Sequence, residues 1–167
     1  TNGNQTITNI GGETFYDLTI NNGSGDVLLA ASTNVTVTNA LALTAGAFVP
    51  NSSTLTLNGT VTRTSGTLTT TGASLVFGAN AAALTLPNSV FTSSPSPLVN
   101  LTVNRLGGIS LGNQGITASG TLALTNGIVT TGANTISVTA AGTVSRTSGW
   151  VNGNLNKFVT GSSTKTF

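Results

Sequence analysis

Short apolar-x-apolar triplets recur along this chain at a fixed interval of 20 residues. Residues 35–37, 55–57 and 75–77 share one register, and residues 116–118 and 136–138 repeat the same spacing downstream. In most of these triplets large apolar residues flank a central Thr or Ser, which predicts a strand with one face in a core and the other in solvent. A fixed period of this length is typical of stacked repeats that bury their apolar faces against one another.

A longer repeat is superimposed on the short one. Three blocks of five or six residues occur twice, at offsets of 83, 81 and 83 residues. These blocks are 17–21 with 100–104, 41–46 with 122–127, and 62–66 with 145–149. We therefore predict one β-solenoid segment over residues 1–167, made of two related units of about 15–97 and 98–167. We expect the segment to be part of a longer protein.

The short repeat predicts an all-β fold, a right-handed parallel β-helix with coils of about 20 residues. Clusters of Asn, Gly and Ser between the triplets supply the turns, and three strands with three turns fit into one coil. The alternative, a β-sandwich with turns every 8–12 residues or so, does not account for the fixed register. Roughly eight coils would give a rod on the order of 40 Å long. The predicted core residues are Leu18, Val35, Val37, Leu41, Leu43, Leu55, Leu57, Leu75, Leu101, Leu122, Leu124, Ile136 and Val138.

Three segments resemble the repeats of large secreted surface and adhesin-like proteins of Bacteroidota. Residues 15–22 are similar to the F-x-N-L-T-I-N opening of those repeats, with Asp17 in place of the asparagine. Residues 120–132 resemble their G-T-L-T-L-T-N-G block, and residues 144–155 resemble the block that often closes a repeat region. The resemblance implies a β-solenoid, export (often by the type IX route), and roles in adhesion, surface layers or fibres. It implies no catalytic residues.

Groups able to do acid–base or metal chemistry are few. Charged residues make up 5% of the chain, His and Cys are absent, and the only carboxylates are Glu13, Asp17 and Asp26. Triads that need His, and zinc sites built from Cys and His, are therefore excluded. Glu13 and Asp17 could approach each other across one bend, although solvated surface acids are the simpler interpretation. We predict no enzyme activity, no catalytic site, no metal site and no cofactor.

Three residues are candidate surface contacts: Arg63 and Arg146, which occupy equivalent positions in the two units, and Trp150. The simpler interpretation of the arginines is that they point outward and cover apolar surface with their stems. The basic residues are scattered, so nucleic-acid binding is not predicted. No apolar run approaches the roughly 18 residues that span a bilayer, so no membrane span is predicted.

Together these features predict a non-catalytic structural or adhesive segment of an extracellular rod or fibre at a bacterial cell surface. One alternative is an ice- or glycan-binding face, since outward Thr residues such as Thr54 and Thr56 form ranks. A carbohydrate-active β-helix enzyme is a weaker alternative because it needs clustered carboxylates. The expected partners are another copy joined end to end or a following domain of the same protein, with a surface glycan as a further candidate. The end-to-end interface is expected at residues 15–20 and 150–167.

Overall fold

A computed structural model describes residues 3–159, which form an all-β parallel solenoid of about seven turns with coils about 21 residues apart. The predicted fold class is thus confirmed, with one coil fewer than expected, while its right-handedness stays a prediction. The difference arises because some coils are longer than 20 residues: Leu75 and Leu101, which lie directly opposite each other, are 26 positions apart. Residues 160–167, the end of the second predicted unit and of the predicted interface, lie outside the described residues.

Three parallel sheets of four, six and eight strands form the faces of the solenoid. In chain order the strands are β1 (Gln5–Ile7), β2 (Glu13–Asn21), β3 (Val27–Leu29), β4 (Val35–Ala45), β5 (Ala47–Val49), β6 (Thr54–Leu57), β7 (Thr60–Arg63), β8 (Thr67–Leu68), β9 (Ser74–Phe77), β10 (Leu84–Thr85), β11 (Ser96–Leu98), β12 (Asn100–Asn104), β13 (Ile109–Ser110), β14 (Ile116–Ala118), β15 (Thr121–Asn126), β16 (Ile128–Val138), β17 (Thr143–Arg146) and β18 (Trp150–Lys157). In the part of the chain that the structure describes, no helix is long and apolar enough to cross a membrane.

The eight-stranded sheet runs the length of the molecule. Its strands follow the order β2, β4, β6, β9, β12, β15 and β17, and β7 pairs with β4. Residues directly opposite one another on successive strands form stacks along the axis, and two inward stacks are named here after one member each. The Val35 stack is Glu13, Val35, Leu55, Leu75, Leu101, Leu122 and Val144. The Val37 stack is Phe15, Val37, Leu57, Phe77, Val103, Leu124 and Arg146.

The other two sheets complete the cross-section. The four-stranded sheet has the order β1, β3, β5 and β8, and it contributes the fully buried Leu29 and Phe48. In the six-stranded sheet the long strand β16 pairs with β13 through its first half and with β14 through its second half. Strand β18 then covers both halves of β16. The three sheets therefore enclose one continuous apolar core.

All the predicted core residues are buried except Leu18, which is only partly buried. Leu18 lies on β2, the first strand of the eight-stranded sheet, where it is opposite Leu41. Within the described residues no strand covers the other side of β2. Leu18 is therefore packed by a neighbouring strand on one side only, whereas a residue of an inner coil is packed on both sides.

Asparagine side chains join successive coils at the corners. The side-chain amide of Asn51 donates to the carbonyl of Leu29 at 2.6 Å, and that of Asn80 donates to the carbonyl of Asn58 at 2.6 Å. In both pairs the partners are 22 positions apart, about one coil. Because a buried carbonyl without a partner is costly, these amides stabilise corners where the strand-to-strand hydrogen bonds stop.

Candidate functional site

The C-terminal end of the solenoid has an open apolar cavity of about 1100 Å³. Leu124, Val144, Trp150, Leu155 and Phe158 line it. Trp150 is 48% exposed and Phe158 57%, which is unusual for large apolar side chains. Within the described residues, no further coil covers the last members of the core stacks at this end. Their last apolar side chains are therefore exposed at the open end of the core, and this forms the cavity.

Two of the three candidate contact residues lie at this cavity. Trp150 begins β18, opposite Ile128, and Arg146 ends β17, opposite Leu124. The Arg146 Nε donates to the carbonyl of Gly149 at 2.8 Å, which holds its side chain near the corner. The structure therefore brings Arg146 and Trp150 together on one surface.

Arg63 holds the matching position in an inner coil, away from that surface. It lies opposite the buried Leu43, as Arg146 lies opposite Leu124. Register thus places both arginines on the inward side of the sheet, although Arg146, in the last described coil, is exposed. Arg63 is half-buried, and its Nε is enclosed without a hydrogen-bond partner among the described residues. Arg63 and Arg146 therefore share a local structure but do not form a common site.

Two of the three carboxylates, Glu13 and Asp17, lie four positions apart on one strand. Glu13 and Asp17 lie on the same strand, β2, so their Cα atoms are roughly 13 Å apart, and they do not meet across a bend. Each accepts a hydrogen bond at 2.7 Å from an asparagine amide, Glu13 from Asn9 and Asp17 from Asn39. Among the described residues no three Asp or Glu side chains lie close enough to hold a metal ion.

Arg105 is a buried cation that the sequence analysis did not single out. It is 1% exposed, its Nε donates to the carbonyl of Ala82 at 2.8 Å, and its Nη1 donates to that of Asn58 at 3.1 Å. Desolvation lowers the pKa of Arg105, although an arginine stays charged at neutral pH. In the sequence, only the alternation of Leu101, Val103 and Arg105 could have predicted this burial, because it places Arg105 on the inward side of the strand. Its hydrogen bonds attach the 80–83 corner to two other coils, a structural role.

One outward stack on the eight-stranded sheet is rich in hydroxyl groups. It alternates with the inward stacks, and we call it the Thr56 stack. Its members are Thr14, Thr36, Thr56, Val76, Thr102, Ala123 and Ser145. The predicted rank of outward Thr is therefore present around Thr56, and Val76 and Ala123 interrupt it.

No protein-family model, characterised protein or solved structure matches this chain. The β-solenoid of about seven turns is therefore established from the structure itself.

Proposed function

We propose that this chain is a rigid, non-catalytic segment of an extracellular rod or fibre at a bacterial cell surface. The observation that carries the proposal is the pair of inward stacks that run through seven of the eight strands of the eight-stranded sheet, all except β7. In a solenoid each coil is stabilised by its neighbours, so an unbroken stack makes a short rod that resists bending. The outermost strands of this sheet would be roughly 29 Å apart, at six spacings of about 4.8 Å.

The outer surface fits a spacer better than a catalyst. The Thr56 stack presents hydroxyl and methyl groups, and the carboxylates Glu13 and Asp17 are separated and engaged by asparagine amides. The resemblance of residues 15–22, 120–132 and 144–155 to secreted Bacteroidota surface proteins supports the extracellular location and an adhesive context. Antibody labelling of intact producing cells checks that location.

Rigidity is tested by measuring one distance along the Thr56 stack. The chain has no Cys, so Thr14→Cys with Ser145→Cys gives two unique sites for spin labels. Pulsed electron paramagnetic resonance on the monomer should show one narrow distance distribution, since the two Cα atoms are expected at about 29 Å. The matched pair Thr14→Cys with Ala123→Cys should be shorter by about 5 Å, which is one coil. A broad distribution for either pair, in a chain that is folded, would contradict the rod.

A second candidate function is an ice-binding face on the same sheet. The Thr56 stack favours it, because regularly spaced hydroxyls and methyls can order a layer of water. No member of the stack is aromatic, so it lacks the platform on which a glycan ring would stack. This candidate predicts thermal hysteresis that Thr56→Lys removes and that Thr130→Lys, on the exposed side of the six-stranded sheet, leaves unchanged. A parent chain with no thermal hysteresis would eliminate it.

A further inference from the structure

The two inward stacks of the eight-stranded sheet end in opposite charges. Glu13 is the N-terminal member of the Val35 stack, and Arg146 is the C-terminal member of the Val37 stack. The five inner members of each stack are apolar and buried. Each charged residue therefore stands where a core side chain stands in the inner coils.

The other two carboxylates and Lys157 follow the same division, while Arg63 and Arg105 lie in inner coils between the two ends. Asp17 and Asp26 lie near Glu13 in the first coils, and Lys157 lies with Arg146 in the last described coil. The protein consequently has an acidic end and a basic end, although its net charge is only +2. Charges arranged in this way favour one orientation of two molecules over the others.

Both ends also expose apolar surface. At the basic end, Val144 and Leu155 are 38% and 39% exposed, beside the cavity that Trp150 and Phe158 line. At the acidic end, Ile7 and Phe15 are only partly buried against the core. Burial of such surface is the main driving force for association, and exposed strand edges provide a template for further pairing.

We propose that copies of this chain stack head to tail, the basic end of one on the acidic end of the next, and that Arg146 and Glu13 set this polarity. The inference rests on the proposed function as a rod, and it identifies the partner as a second copy. In the stacked pair, β17 of one copy lies beside β2 of the next, and the eight-stranded sheet continues across the junction.

The register of the sheet makes the ion pair reachable. If the stacks continue, Val144 lies opposite Glu13 of the next copy, and Arg146 lies opposite Phe15. Arg146 is then diagonal to Glu13, with their Cα atoms roughly 8 Å apart: two residues along the strand and one strand spacing across. A guanidinium on its long stem spans that distance. Head-to-head or tail-to-tail stacking would place like charges together in the same apolar surroundings, which disfavours both arrangements.

In the separate molecule both charges are already accommodated. Glu13 accepts a hydrogen bond from Asn9, and Arg146 donates one to Gly149, so neither needs the junction in order to be stable. Inward-pointing charges at sheet edges also discourage unspecific pairing. Glu13 and Arg146 would therefore disfavour unspecific pairing of the sheet edges and favour the head-to-tail contact.

Charge exchange at the two ends tests the proposal. Sedimentation velocity and negative-stain microscopy should show the parent chain assembling into filaments as its concentration rises. Glu13→Arg gives a chain with an arginine at both stack ends, and Arg146→Glu gives one with a glutamate at both. Each alone should need at least about tenfold more protein to assemble, because like charges would meet at every junction.

An equal mixture of the two variants is the decisive sample. Each basic end then finds an acidic end on the other variant, so filaments with alternating subunits should form at close to the parent concentration. The matched control is Arg63→Glu, the same exchange in the equivalent R-T-S-G corner of an inner coil, which should assemble like the parent. Mixing it with Glu13→Arg should not restore assembly beyond what Arg63→Glu achieves alone.

Two results would overturn the inference. One is a parent chain that stays monomeric at every concentration, as it would if a following domain covers the basic end. The other is a mixture that assembles no better than its components while both variants melt like the parent. Neither result would contradict the rod proposal, which depends on a narrow distribution of the Thr14–Ser145 distance in the monomer.

Discussion

Leu55→Asp should lower the free energy of unfolding by about 5 kcal/mol or more, a large share of the 5–15 kcal/mol typical of a domain. Leu55 is fully buried in the Val35 stack, between Val35 and Leu75. Removing a buried leucine side chain alone costs about 2–5 kcal/mol. The introduced carboxylate adds the cost of a charge or an extra proton in an apolar core, with a coil on each side and no cation opposite.

The matched control is Thr56→Asp, one residue along the same strand. Thr56 belongs to the outward stack, so the same carboxylate would remain hydrated there, and the expected change is within about 1 kcal/mol. Urea denaturation followed by circular dichroism measures both variants. Equal midpoints for Leu55→Asp and the parent would mean that the inward stack is assigned to the wrong face.

Gly127→Ala should destabilise the solenoid by at least about 3 kcal/mol. Gly127 has a φ of 78°, in the left-handed region that costs a residue with a Cβ about 1–3 kcal/mol. A Cβ at this position would also overlap the carbonyl oxygen of Arg105 in the preceding coil. Backbone cannot move aside as a flexible side chain can, so the coils would have to separate locally.

Gly132→Ala separates the cost of the positive φ from the cost of the close contact between coils. Gly132 also has a positive φ, of 59°, but a Cβ there would meet no atom within 4 Å. Its substitution should therefore cost only the backbone term, about 1 kcal/mol. Thermal melting of both variants checks the difference, and equal losses would show that close contact between coils at Gly127 is unimportant.

Much of the fold was predictable because its determinants repeat. A strand that is half buried alternates apolar and polar residues, and coils that stack must repeat that alternation at a constant spacing. The triplets at residues 35–37 and 55–57 satisfy both conditions, and the triplet at 75–77 keeps the spacing with an apolar Val76 in its centre. These triplets indicated the solenoid, and all the core residues predicted from the sequence are buried except Leu18. The repeated R-T-S-G block indicated that Arg63 and Arg146 are equivalent.

The candidate site was much less predictable, because it depends on which residue lies opposite which across corners of unequal length. The 26-residue step from Leu75 to Leu101 cannot be deduced from a 20-residue period. Burial of Leu29 and Phe48 likewise depends on a separate four-stranded sheet whose short strands carry little pattern of their own.

The amino-acid sequence by itself determined that this chain stacks coils around an apolar core, since alternation and period act locally and recur in every coil. Only the tertiary structure decided that Arg105 is buried and that Glu13 and Arg146 end neighbouring stacks. Arg105, for example, can occupy an inward position because distant carbonyls accept its hydrogen bonds. Those partners are brought to it by the register of neighbouring coils, which no local pattern specifies.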